Sequence, residues 1–230
     1  IKKKNETGHY PDTNDLLKSF ELNMSRQKAS FADTSFRRFL EHGQDFLPKY
    51  YARWIEDWKL NTEVLPEKRI LNAIALGVPI NGILDKIIID KSHVSVVDYK
   101  TGKHSNALLK LKPPAPEKLP ATFESRYGGD YWRQIMFYKI LLDNDTSQNW
   151  NMTHGEIDFV EPEDDRFFKI EIPITNEHLA IVKNQIIQTY SDIMNLKFNI
   201  GCGDEKCEWC NFVRQNESKF PSMDDVKWRD

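Results

Sequence analysis

Between residues 36 and 58 the large apolar side chains Phe36, Phe39, Leu40, Leu47, Tyr50, Tyr51, Trp54 and Trp58 recur mostly at steps of three and four. That is the spacing of one helical face, and it predicts a long amphipathic helix bent near Pro48. A shorter helix over residues 14–27 precedes it, with Leu16, Leu17, Phe20 and Met24 on its buried side. Residues 2–15 are polar and lead straight into these patterns with no strand ahead of them, as in a fragment of something larger. From residue 63 the texture changes. Residues 63–76, 79–90 and 92–99 are β-branched runs separated by the turn signals Gly77-Val78-Pro79 and Asp90-Lys91-Ser92, which reads as three consecutive strands.

Residues 101–129 contain Lys112-Pro113-Pro114-Ala115-Pro116, which continues neither ladder nor helix, so this stretch is expected to be mainly a long connection. Helical spacing returns over 130–142, a strand pair over 150–160 and 166–172, and a last amphipathic helix over 176–195. No internal repeat is visible. The order of helices, strands, helix, strands, helix predicts an α/β fold: a mixed sheet flanked by helices, with a helical N-terminal segment.

Composition adds bounds. The 230 residues, 40% of them hydrophobic, suffice for one core with a helical annex. No apolar run approaches the roughly 18–20 residues that span a bilayer, and the charged start lacks an apolar segment behind it, so no membrane partner and no secretion are expected. The three cysteines, Cys202, Cys207 and Cys210, are clustered as ligands are and not spread as a disulfide framework, which suits a reducing, cytoplasmic setting. A net charge of −3 means that any nucleic acid must be held by a local patch.

Candidate chemistry lies in Val97-Asp98-Tyr99-Lys100. The strand period of two puts Asp98 and Lys100 on one face and Val97 and Tyr99 on the other. Gly82-Ile83-Leu84-Asp85 lies on the preceding strand, and the turn at Asp90-Lys91-Ser92 folds Asp85 back beside Asp98. Two carboxylates, with water and a substrate phosphate completing the shell, suit Mg²⁺ or Mn²⁺. An adjacent lysine orients water or stabilises developing negative charge. The competing reading makes Asp98 and Lys100 an exposed ion pair and Asp85 a turn residue.

Gly82-Ile83-Leu84-Asp85 and Asp98-Tyr99-Lys100-Thr101-Gly102 resemble the G-x-x-D and D-Y-K-T-G motifs of RecB-type nucleases, a branch of the PD-(D/E)xK superfamily. Gln134-Ile135-Met136-Phe137-Tyr138 is similar to the Q-x-x-x-Y helix of the same branch, and Gln134 and Tyr138, four apart, share a helical face for bracing the strand or meeting substrate. The resemblance implies a restriction-endonuclease-like fold. It makes Asp85, Asp98 and Lys100 catalytic, with metal held by Asp85, Asp98 and the backbone carbonyl of Tyr99, and Glu67 as a lesser acidic candidate. It implies a Mg²⁺- or Mn²⁺-dependent DNA exonuclease module of a bacterial UvrD/RecB-type helicase–nuclease in recombination and repair, with the helicase motor domains on the same polypeptide. The alternative is a catalytically silent nuclease-like DNA-binding or scaffolding domain.

The G-x-x-x-H segment of many such nucleases has no copy here; His42 follows no such pattern and is expected to pack or be solvated. No G-x-x-x-x-G-K-[ST] motor motif occurs either. Cys202, Cys207 and Cys210 form an AddB-like cluster, implying a 4Fe-4S cluster, or zinc, closed by a fourth ligand outside this chain; a metal-free cysteine knuckle is the other reading. Lys103, Lys110 and Lys112 follow Lys100 with no acid before Pro116, a path for a phosphate backbone or simply a soluble loop. Tyr127, Tyr131 and Trp132 could stack on bases, but aromatic residues beside a helix are more often core. The expected division is residues 1–62 as helical N-terminal segment, 63–200 as nuclease core and 201–230 as cysteine-containing tail.

Overall fold

A computed structural model describes residues 1–60, 63–115, 123–197 and 207–216. Its helices and strands follow in the order α1 (Lys2–Thr7), α2 (Thr13–Arg26), α3 (Asp33–Lys59), β1 (Glu63–Ala75), β2 (Val78–Asp90), β3 (His93–Lys100), α4 (Phe123–Tyr127), α5 (Asp130–Asp143), β4 (Asn151–Glu163), β5 (Arg166–Glu171), α6 (Asn176–Met194) and α7 (Glu208–Asn216). The strands form one mixed sheet in sequence order, β1-β2-β3-β4-β5. The tight turns make antiparallel pairs, whereas β3 and β4 run parallel with α5 in the connection between them.

The apolar patterns act as expected. Seven residues of α5 are buried, among them Trp132, Ile135, Met136 and Leu141, so this helix is apolar nearly all round. Each such side chain contributes about 1.5–3 kcal/mol on burial. Close approach to the sheet is made possible by two glycines: a Cβ on Gly82 of β2 would lie 2.8 Å from Leu141 Cδ2, and one on Gly155 of β4 would lie 2.3 Å from Ile135 Cγ2. On the other face lies α3, whose Tyr50, Trp54 and Trp58 meet β2, β4 and β5. Helix starts follow local chemistry, with Asp12 accepting from the Asp15 N–H and Thr175 from the His178 N–H.

Two expectations are corrected. The polar segment before residue 13 holds helix α1, anchored by Asn5 Nδ2 donating to the Val64 carbonyl at 2.8 Å, an attachment outside local periodicity. The long connection contains a 3₁₀ turn, His104–Ala107, and α4, because Ala107 is drawn into the core and the chain folds over the start of α5. Trp132 follows the core-packing reading: it is 1% exposed, because α5 turns it into the core. His42 packs edge-on against Phe46 and meets Glu161 at 3.3 Å, a packing role as read. Among the described residues no helix is long and apolar enough to cross a membrane.

Candidate active site

The β2–β3 ladder runs from the turn pair Asp90↔His93 up to Lys86↔Val97 and then ends, so the strands part at Asp85 and Asp98. Beyond that point β2 stays paired to β1 and β3 to β4. In the fork, Asp85 Oδ2 accepts the backbone N–H of Tyr99 at 3.0 Å, replacing the missing ladder bond with a side chain. The hairpin brings Asp85 close enough to Asp98 for repulsion between the two carboxylates to help raise the Asp85 pKa. Burial is the larger cause, and the Tyr99 N–H opposes both.

Asp98 is 1% exposed. The reading of Asp98 and Lys100 as an exposed pair is therefore overturned, because β3 is an inner strand covered by α5. Lys100 Nζ lies 2.5 Å from Asp98 Oδ2 and donates to Gln134 Oε1 at 2.8 Å. Gln134 in turn donates through Nε2 to Asp98 Oδ1 at 2.8 Å, and the Tyr138 hydroxyl donates to the same oxygen at 2.9 Å. One helical turn separates Gln134 from Tyr138, so both reach down from α5 onto the end of β3. Burial, then the charge of Asp98, pushes the Tyr138 phenol well above its ordinary range, so it remains a donor.

These contacts leave Asp98 Oδ2 without a properly angled hydrogen bond although it is buried. A buried carboxylate oxygen touched only by an ammonium, beside a second carboxylate whose charged form is disfavoured, is a donor set that a hard divalent cation suits. Among the described residues no three His, Cys, Asp or Glu side chains gather as a metal-ligating group, so protein carboxylates would supply two ligands and other oxygens the rest.

Other candidates are distributed unevenly. Lys110 is brought in: its Nζ lies 5.3 Å from the centre of the Tyr131 ring, on which Lys100 Nζ also sits at 4.6 Å. Its carbonyl accepts the N–H groups of Tyr131 and Trp132, which ties the loop to the start of α5. Lys103 and Lys112 are exposed, as is Tyr127. Glu67 is exposed at a left-handed kink in β1 (φ 50°), ion-paired to Lys2 at 2.5 Å, and near enough to Asp85 to add to its raised pKa. Cys207 and Cys210 are half-buried at the start of α7 and within it, and Cys202 lies outside the described residues.

Sequence reasoning missed the charged network behind β3. Tyr99 faces away from Asp98, and on its side Tyr50 donates to Asp158 Oδ2 at 2.6 Å while Lys169 lies 3.4 Å from the same oxygen. Lys86 is 2% exposed, with Nζ near the rings of Tyr99 and Trp58; burial, reinforced by Lys169, lowers its pKa to about 8. Burial likewise pushes the Asp158 carboxyl up. One signal was present: Lys86, beside Asp85 in Ile83-Leu84-Asp85-Lys86-Ile87-Ile88-Ile89, and Asp158 within Ile157-Asp158-Phe159 are charges set inside apolar strand segments.

No curated protein matches the sequence. Two solved structures are similar to the chain. One is SSO0001, at 17% identity and TM-score 0.39, covering 95% of this chain and 93% of that one. The other is a "Putative exonuclease" from Eubacterium rectale, at 13% identity and TM-score 0.48, covering 91% and 78%. The family pattern of the PD-(D/E)XK nuclease superfamily matches residues 4–215, a span that holds the whole sheet, the fork at Asp85 and Asp98, and the α5 residues that brace it. The chain belongs to the PD-(D/E)XK nuclease superfamily.

Proposed function

We propose that this chain hydrolyses phosphodiester bonds of DNA at the fork between β2 and β3, as a Mg²⁺- or Mn²⁺-dependent exonuclease. The observation that carries the reading is Asp98: a carboxylate buried in a nuclease-superfamily core, braced on one oxygen by Gln134 and Tyr138 and left with an oxygen facing Lys100. Asp85 and Asp98, with the Tyr99 carbonyl, would hold the cation, and Glu67 is a weaker contributor. When bound, that ion supplies charge to polarise the phosphodiester and acidify water. Lys100 holds the attacking water or meets the charge developing on phosphate, while Gln134 fixes both Lys100 and Asp98. Tyr138 donates to Asp98 and keeps its orientation. Lys110, beside Lys100 on Tyr131, and the exposed Lys103 and Lys112 offer charges along which a phosphate backbone can lie.

The finer placement rests on the motifs themselves. They support a RecB-type exonuclease module, cytoplasmic, working in recombination and repair with helicase motor domains on the same polypeptide. We retain the division at residues 62 and 200, and a 4Fe-4S or zinc centre on Cys202, Cys207 and Cys210 with a fourth ligand elsewhere. Iron and zinc analysis of the purified protein tests that centre, and the lack of both metals would remove it.

A second reading, a silent DNA-binding module, is favoured by one observation: among the described residues no histidine joins Asp85 and Asp98 in a three-ligand group. Cleavage of single- and double-stranded DNA with Mg²⁺ or Mn²⁺ decides between them. The enzyme requires cleavage that Asp98→Ala and Lys100→Ala abolish; DNA binding without metal-dependent cleavage leaves the silent module.

A further inference from the structure

Behind the fork lies a cavity of about 570 Å³, bounded by α1, α2, α3 and strands β1 to β4. Asp85 and Tyr99 form part of its wall, so it reaches the candidate metal site at Asp85, while Asp98 and Lys100 lie outside its lining. The rest of the lining is of two kinds. Tyr10, Tyr50, Tyr51 and Trp58 supply aromatic rings, while Lys2 and Lys3 supply cations and Glu67 a further acid.

The rings are fixed before any ligand arrives. Tyr10 donates its hydroxyl to the Trp58 carbonyl, Tyr51 to the Pro11 carbonyl and Tyr50 to Asp158, so each phenol is tied to protein. Tyr10, Tyr50 and Tyr51 all pack around Trp58, with ring centres 5.8–6.3 Å from it.

Size and charge narrow the ligand. The volume falls in the range of small-molecule sites, and it does not admit a duplex, whose major groove alone is about 12 Å wide. Asp85 and Glu67 repel a phosphate from the inner wall, so the uncharged, aromatic part of a nucleotide is what this wall of rings suits. Lys2 and Lys3, paired with Glu67 and Asp15, stand where a backbone phosphate outside the cavity would exchange with those acids.

We propose that this cavity receives the base of one unpaired nucleotide of a DNA strand, next to the phosphate held at Asp85 and Asp98. The inference rests on the proposed nuclease reading and deepens it: the substrate is a single strand, or a duplex end frayed by at least one nucleotide. Stacking on an aromatic wall tolerates all four bases, because each has a π face.

The test needs no variant to begin. Single-stranded oligonucleotides carrying one abasic site, moved stepwise from each end, are bound to the full chain with Ca²⁺ in place of Mg²⁺, and affinity is read by fluorescence anisotropy. One position is expected to lose about 5- to 150-fold in affinity, the value of one stacked base. Leu16→Trp and Ser19→Phe, which fill the cavity from α2, are expected to weaken binding of the intact strand and leave the strand abasic at that position unchanged. A flat scan, or no binding, overturns the inference. Cleavage with a flat scan discards the cavity and keeps the nuclease; a stepped scan without cleavage keeps the cavity and discards the hydrolytic reading.

Discussion

Gln134 on α5 holds Asp98 on β3 through a 2.8 Å hydrogen bond from Nε2 to Oδ1, while its Oε1 receives Lys100. One neutral amide thus presents a donor to the anion and an acceptor to the cation, which neither Glu nor Lys at this position could do. Gln134→Ala is expected to weaken Mn²⁺ binding and to slow cleavage, each by roughly 10- to 100-fold, the usual cost of removing a residue that orients a metal ligand. Calorimetric titration of Mn²⁺ and single-turnover cleavage check both; unchanged affinity in the variant would show that Asp98 is held without α5.

The Lys100 ammonium occupies the same oxygen of Asp98 that a cation would approach. Lys100→Met should therefore lower the cleavage rate by roughly 100- to 1,000-fold while leaving Mn²⁺ binding intact or tighter. Without metal the variant strands a buried carboxylate, at about 3–5 kcal/mol in stability. Added Mn²⁺ should restore most of that loss. A melting curve with and without the ion reads it directly, and a variant indifferent to Mn²⁺ would mean that the metal does not bind Asp98.

Lys86 predicts a pH dependence with a definite sign. Burial lowers its pKa from 10.5 to about 8 in the folded chain. Between those values the unfolded chain binds more protons than the folded one, so stability contributed by this group rises with pH from about 8 to 10.5 and is absent below that window. Lys86→Met should flatten this rise in urea unfolding midpoints collected across the window. An identical slope in the variant would assign it to another group.

Gly129 sits where a Cβ would lie 2.3 Å from the backbone of Leu109 and Lys110. Backbone cannot step aside as a side-chain tip can, so Gly129→Ala should destabilise the fold by about 1–3 kcal/mol. At this chain length that lowers Tm by several degrees, roughly 2–4 °C per kcal/mol. Gly102→Ala, with nothing within 4 Å of the added carbon, is the matched control and should stay within about 0.5 kcal/mol of the parent.

Strand and helix positions were legible because the forces that choose them act within a few residues. The three runs predicted at 63–76, 79–90 and 92–99 appear as β1 to β3 with their turns where Gly77 and Lys91 take left-handed conformations. Helix α1 was not legible, since its polar side chains carry no periodicity and its anchors, Val64 and Glu67, lie some sixty residues away. Asp85, Asp98 and Lys100 were placed together by the period of a strand and the position of a turn, and their roles came from likeness to the G-x-x-D and D-Y-K-T-G motifs. The fourth and fifth members, Gln134 and Tyr138, came from helical spacing and motif likeness, and the structure brings both to one oxygen of Asp98.

By itself, then, the sequence determined which residues lie on a common face and in what order the elements come, because periodicity and turn chemistry are local. Only the tertiary structure decided that Asp98 is buried and not a surface partner of Lys100, that the ladder between β2 and β3 ends at Lys86 to leave a fork, and that a charged network of Lys86, Asp158 and Lys169 lies behind Tyr99. Those outcomes depend on the parallel docking of β4 on β3 and of α5 and α3 on opposite faces. Burial and charge pairing are properties of groups distant in the chain, so no window of sequence contains them.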